Sequence, residues 1–290
     1  MIRMPRLTPL VLAVSVLFAP VAHAHEGKTV GGFKTPESVL QTKDGRVFVS
    51  EIGEFGKDGD GQISVISPDG KVSVFATGMD DPKGLAIIGQ DIYVTDKARV
   101  LKVKPDGKWE VFAAATAFPV TPQFLNDIEP DPKGNLYVSD SGDINTGSGG
   151  AIYRLDKAGK VTLVIDGKQD PKVLSPNGLV VDDTGDVLLE VDFASGILYS
   201  YNMKSKKLTK LAEGFGGGDG LVHASSGMIY VSDWKNGKVF ELGHDDEVKL
   251  LKDGFKASAD IALSKDEKYL IVPDMKAGEV VWLPLHPKKH

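Results

Sequence analysis

The sequence predicts an all-β fold, a six-bladed β-propeller with four-stranded blades, and three observations predict it. A turn followed by a strand of alternating apolar residues recurs six times, at spacings of roughly forty to fifty residues. The last unit has three recognisable strands instead of four, and a segment near the start of the chain has the pattern of the missing one. Glycine supplies 33 of the 290 residues and proline 16, the punctuation of many turns and little helix. Radial packing buries both faces of each small sheet and limits exposed edges. A β-sandwich would use many short strands too, but it gives no reason for six equivalent strand starts or for a displaced strand.

Taken in order, Arg3 and Arg6 precede an apolar run over residues 7–21 that ends Ala22-His23-Ala24, the small-x-small pattern of a secretory cleavage site. Pro9 and Pro20 bracket a stretch too short to cross a hydrocarbon core, so residues 1–24 are expected to be a removable leader. Residues 25–290 are then a single propeller domain, free of the membrane after processing and exported to the periplasm or the medium. Residues 28–34 resemble the fourth strand and exit of other units, such as 248–251 before Gly254-Phe255-Lys256. They are expected to pair beside residues 279–283 and close the ring.

The unit itself is clearest in its second strand, read at residues 44–50, 89–96, 134–140, 185–190, 226–233 and 267–274. A short apolar strand precedes it, as at 84–87, 178–181 and 220–223, and two more follow, as at 237–242 and 247–251. Aligning the starts of the first strands brings Glu37, Lys83, Asn126, Asn177, Asp219 and Ala259 to one position, with Asp127 and Asp260 one residue further on. In a propeller these starts lie on one face near the central channel, so residues far apart in sequence converge. Carboxylates and amide carbonyls are hard oxygen ligands that suit Ca²⁺, with Zn²⁺, Mg²⁺ or Mn²⁺ also compatible. Glu37, Asn177 and Asp219 are the expected metal set, and their two charges match a divalent ion. Asn126 is placed to touch either that ion or a substrate, and Lys83 to offset acidic charge in the channel.

Taken singly, Asn177-Gly178 and Asp219-Gly220 are ordinary turn sequences; recurrence at an equivalent position is what points to a site. Glu51, Asp96, Asp140, Asp233 and Asp274 end similar runs, and capping backbone N–H groups in the following turn is reason enough for them. Two long loops, 51–61 and 140–150, are expected to rim the channel. Residues 58–62 have some likeness to a calcium loop but lack its twelve-residue ligand pattern. His223 reads as a packed or channel histidine in preference to a base.

Composition excludes several classes. The absence of cysteine removes disulfides, thiolate metal sites and cysteine nucleophiles. A net charge of -6 leaves no broad basic footprint, so nucleic acid is not an expected partner. No glycine-rich nucleotide loop supports a coenzyme, and redox chemistry is not expected.

Four segments in order resemble the SMP-30/gluconolactonase/LRE-like family, six-bladed propellers that hold a divalent cation and include lactone-hydrolysing enzymes. They are Thr35-Pro36-Glu37-Ser38-Val39, residues 125–134 with Asn126-Asp127, Ser175-Pro176-Asn177-Gly178-Leu179, and Gly218-Asp219-Gly220-Leu221. The resemblance runs from about residue 35 to 285. It implies that Glu37, Asn177 and Asp219 bind metal, that Asn126 faces substrate, and that Asp219 is the candidate base. Sugar-lactone members often carry an arginine two residues before that asparagine, where this chain has Phe124, and a glycine after the glutamate, where it has Ser38.

The expected activity is therefore metal-dependent hydrolysis of a small-molecule lactone or related ester. Asp219 or Asp127 takes a proton from water, and Asn126, Lys83 and Phe124 contact the substrate. The alternative is a non-catalytic NHL-like or SMP-30-like secreted binding module with a structural metal and a protein partner.

Overall fold

A computed structural model describes residues 27–243 and 247–285. The expected leader and the basic tail at 287–290 lie outside the described residues. The described residues form six four-stranded antiparallel sheets. The innermost strands are Pro36–Gln41, Pro82–Ile88, Leu125–Pro130, Pro176–Val181, Gly218–His223 and Ala262–Leu263. Each is followed outward by three hairpin-connected strands, so sequence order is radial order. The sixth sheet alone breaks this rule, because its outermost strand is Lys28–Gly31 from the start of the chain, paired against Glu279–Pro284. The register sets Lys28 opposite Trp282 and Gly31 opposite Glu279, which closes the ring as the strand count requires. The single helical element among the described residues is a 3-10 turn at Ala115–Ala117.

Alternation along the strands sends apolar side chains to both faces of each blade, and the core is a ring of clusters between neighbours. Phe48 of the first blade shares a cluster with Val94 of the second, and Tyr93 of the second shares another with Tyr153 of the third. Ile152 and Leu188 share a third cluster, Leu198 and Val231 a fourth, and Tyr230 and Val272 a fifth, carrying the ring through blades four, five and six. Val49 and Trp282 share the cluster that joins the sixth blade back to the first.

Five of the innermost strands carry a β-bulge at their second and third residues. In the first blade Pro36 pairs with Glu51 and Val39 with Val49, so Glu37 and Ser38 together face Ser50. The same irregularity falls at Lys83-Gly84, Asn126-Asp127, Asn177-Gly178 and Asp219-Gly220. The Asn-Gly and Asp-Gly pairs are thus bulges inside strands, not the hairpin turns such dipeptides usually mark. A bulge re-aims a side chain and increases local twist. Here it points the first residue of each pair into the channel end and the second toward the neighbouring blade.

The sixth blade departs from the pattern. Its innermost strand is two residues long, preceded by an isolated bridge between Ser258 and Asp274. Pro273 stands opposite the Ala259-Asp260 pair; its carbonyl accepts from the Ala259 N–H at 3.0 Å, but it has no N–H to return.

Candidate functional site

The bulges are fastened from the second strand. The Ser50 hydroxyl accepts from the Ser38 N–H at 2.9 Å and the Ser139 hydroxyl from the Asp127 N–H at 2.9 Å. Ser232 accepts from the Gly220 N–H at 2.7 Å and donates to the Ala259 carbonyl of the next blade at 2.7 Å. Thr95 donates across the blade gap to the Asn126 carbonyl. The acidic residue that ends the second strand ties down the connection arriving from the previous blade, whether a hydroxyl residue precedes it, as at Ser139-Asp140 and Ser232-Asp233, or not, as at Val191-Asp192. Asp140 accepts from the Phe124 N–H at 2.8 Å, Asp192 from Ser175 at 2.6 Å and Asp233 from Gly217 at 2.9 Å. The expected capping of backbone N–H groups is therefore present, and it reaches the preceding connection as well as the following turn.

Glycine at the second bulge position serves close approach between blades. A Cβ on Gly178 would lie 2.4 Å from the Asp219 carbonyl oxygen, and one on Gly220 would lie 2.3 Å from the Ile261 nitrogen. Aspartate replaces glycine at this position in two blades, where it bonds to the neighbour instead. Asp127 accepts from the Leu179 N–H at 2.6 Å and from its own next residue, Ile128, at 2.7 Å, while Asp260 accepts from the Ser38 hydroxyl.

The first bulge residues meet around one cavity of about 370 Å³, whose floor carries Glu37, Lys83, Asn126, Asn177 and Asp219. All five are buried. Ser141 joins them, accepting from the Asn126 amide at 3.2 Å and donating to the Pro176 carbonyl at 2.9 Å. One oxygen each of Glu37, Asn177 and Asp219 is buried without a hydrogen-bond partner, and among the described residues only Asp60 and Glu190 share that condition. Leaving such groups unpaired is costly, and two carboxylate oxygens with an amide oxygen form a donor set of the kind a hard divalent cation takes. Among the described residues there is no cluster of three or more His, Cys, Asp or Glu side chains placed to hold a metal, since the third member of this set is an asparagine.

Burial raises the Glu37 carboxyl well above the usual carboxylate range, and the Asp219 charge adds to the effect while Lys83 opposes it. Burial does the same to Asp219, with Asp127 and Asp233 as its acidic neighbours. The Lys83 ammonium is lowered by burial, opposed by Glu37, Asp81 and Asp96. It donates to the Asp81 carbonyl at 3.2 Å and stands 4.2 Å from the centre of the Phe124 ring. Phe124 also lines the cavity, so the residues expected to contact substrate all face it.

Asp127 does not. With Asp260, Glu129 and His223 it lines a second cavity of about 330 Å³, and its oxygens are spent on backbone N–H groups. Its carboxyl is pushed up to about 6 by burial, held down in part by those two bonds. Asp127 was expected to share the proton-accepting role with Asp219; the bulge turns it toward the fourth blade, and Asp219 alone of the pair faces the first cavity. Ala259 likewise brings no polar group to the floor and packs in the apolar cluster with Ile52 and Met275.

Sequence reasoning passed over the cavity's walls: Ile52, Phe55, Ile144, Phe193, Trp234 and Met275. A signal for four of them was available. Ile52, Phe193, Trp234 and Met275 each follow directly the acidic residue that ends a second strand, the position taken by Ser141 in the third blade. Phe55 and Ile144 come from the two long loops expected to form a rim.

The model of the SMP-30/Gluconolactonase/LRE-like region matches residues 86–249, more than half of the chain and a span that takes in Asn126, Asn177 and Asp219. The chain belongs to the SMP-30/gluconolactonase/LRE-like family. Glu37 and Lys83 of this family member lie outside the matched span and join the others through the fold.

Among solved structures, it is similar to virginiamycin B lyase from Staphylococcus aureus at TM-score 0.61 and 14% identity, covering 90% of this chain and 100% of that one. A catalytically inactive variant of the same lyase with quinupristin aligns at TM-score 0.61 and 15% identity, with the same coverages of 90% and 100%. A chain of a nidogen/laminin complex aligns at TM-score 0.61 and 22% identity, over 74% of this chain and 78% of that one. Likeness at these identities is a likeness of fold. No curated protein matches the chain.

Proposed function

We propose that this chain is a divalent-metal-dependent hydrolase of a lactone or related ester, with its centre on the floor of the first cavity. The observation that carries the reading is the set of orphaned oxygens on Glu37, Asn177 and Asp219, which three different blades deliver to one buried place. Those three residues would hold the ion, with Ca²⁺ the best match to an all-oxygen set. When bound, such an ion supplies Lewis-acid polarisation of a carbonyl.

The protein's own groups do the rest. Asn126, held by Ser141, positions the substrate. Asp219, on the same floor, takes a proton from the water that adds to the carbonyl carbon and passes it to the departing oxygen as the C–O bond breaks. The buried Lys83 ammonium lies on the same floor, where negative charge develops on the former carbonyl oxygen. A panel of lactones and esters assayed with Ca²⁺, Zn²⁺, Mg²⁺ and Mn²⁺ tests this, and turnover that is absent throughout, or unaltered by Asp219→Ala, rejects it.

One observation favours a second reading. Lys83 already offsets the charge of Glu37, as it would in a non-catalytic propeller in which a bound ion only braces the channel beneath a binding surface. A calcium-dependent rise in melting temperature with every lactone and ester inert selects that reading. Under both, residues 1–24 direct export to the periplasm or medium, and N-terminal sequencing of the mature protein checks the cleavage after Ala24.

A further inference from the structure

We infer that the site takes a lactone or ester carrying a bulky hydrocarbon substituent, in preference to a polyhydroxylated sugar lactone. The inference rests on the hydrolase reading above for the reacting group and on the cavity walls for the rest of the molecule. Polar atoms are confined to the floor. Above it stand Ile52, Phe124, Phe193, Trp234 and Met275, with Phe55 and Ile144 reaching over from the two long loops.

These walls are poor partners for hydroxyls. The one indole N–H among them donates to the Met275 sulfur at 3.2 Å, and the two rings on that side lie against each other at 6.2 Å. Each sugar hydroxyl held against these walls, above the polar floor, would lose water without a replacement partner, a cost that selects against such a substrate. An alkyl or aryl group has the opposite preference. Phe55 and Ile144 are 53% and 40% exposed, apolar surface that such a group would cover. Phe55, Trp234 and Met275 also wall a second, open hollow of about 510 Å³ that continues past them to Phe33 and Lys276. A substituent longer than the first cavity therefore has a way out across the shared wall, into a hollow that is apolar at Phe33, Phe55, Trp234 and Met275 and polar at Thr35 and Lys276.

The test compares δ-lactones whose alkyl tail grows from about two to about ten carbons with δ-gluconolactone, using the calcium-loaded protein. The expected result is kcat/KM rising roughly twofold to fourfold per added methylene until the walls are filled, with gluconolactone below the whole series. Phe55→Ser together with Ile144→Ser should flatten the rise while leaving the shortest lactone least affected. Equal or better turnover of gluconolactone, or no dependence on tail length, overturns the inference and leaves the hydrolase reading standing.

A readout free of turnover separates the two claims. Lactams with the same tails, which resist hydrolysis, should change the fluorescence of Trp234 with affinity that rises with tail length, a signal that Trp234→Phe removes. Tail-dependent lactam binding with no lactone turned over upholds the apolar ligand class and rejects the hydrolase. Absence of tail-dependent binding rejects the ligand class whatever the turnover.

Discussion

Asp219 and Lys83 stand on one cavity floor with opposite charges and opposite expected effects. Asp219→Asn keeps the size of the side chain and removes both the negative charge and the proton acceptor, so lactone turnover should fall at least about a hundredfold with the circular dichroism spectrum unchanged. Lys83→Met removes a buried positive charge beside Glu37. With that repulsion gone, calcium should bind more tightly, by roughly tenfold if the gain is about 1.4 kcal/mol; calorimetric titration measures it, and weaker binding would show that the ammonium supports the ion site. These floor residues were legible in the sequence because the repeat aligned them. The wall residues were less so: no single one is a motif, and their common position after an acidic residue has meaning only once the second strands are known to end at the cavity.

At the scale of the element, the bulge and its hydroxyl are the device that aims the floor residues. Ser232→Ala would strip a partner from the Gly220 N–H and the Ala259 carbonyl, and should destabilise the protein by about 1–3 kcal/mol, read by urea unfolding. Activity should fall too, since Asp219 occupies the same bulge. The recurrent pairing of a hydroxyl residue with an acid was visible in the sequence, but a single strand does not display what it faces. The bulges were invisible for the same reason, and Asn177-Gly178 read locally as a turn until the partner strand was in place.

The second strand of the fourth blade holds the opposite case. Glu190 is buried with both carboxyl oxygens unpartnered, between cross-strand neighbours Leu179 and Tyr199, and burial followed by the Asp192 charge raises its carboxyl well above the usual range. The folded protein therefore keeps a proton that the unfolded chain releases above about pH 4.3, so this residue makes stability fall as pH rises from there toward its raised value. Glu190→Leu should remove that slope and stabilise the protein by about 1–3 kcal/mol at neutral pH. Thermal unfolding of both proteins across the pH range decides it, and equal slopes contradict the account.

The whole molecule depends on closure, because convergence of distant blades on one floor requires a complete ring. The number of blades and the displaced closing strand followed from counting repeats. The shortened inner strand of the sixth blade did not, as it results from Pro273 facing a bulge position across the sheet. Removing residues 27–31 would expose the edge of Glu279–Pro284 and should lower the melting temperature by roughly 5–10 °C while promoting self-association; an unchanged, monomeric protein would contradict the role given to that strand. The most direct measurement for the entire account is calorimetric titration of calcium into the metal-stripped protein and into a Glu37→Gln, Asn177→Ala, Asp219→Asn triple variant that retains the wild-type circular dichroism spectrum. The account predicts one site in the first and none in the second. Equal affinity and stoichiometry in both would contradict it.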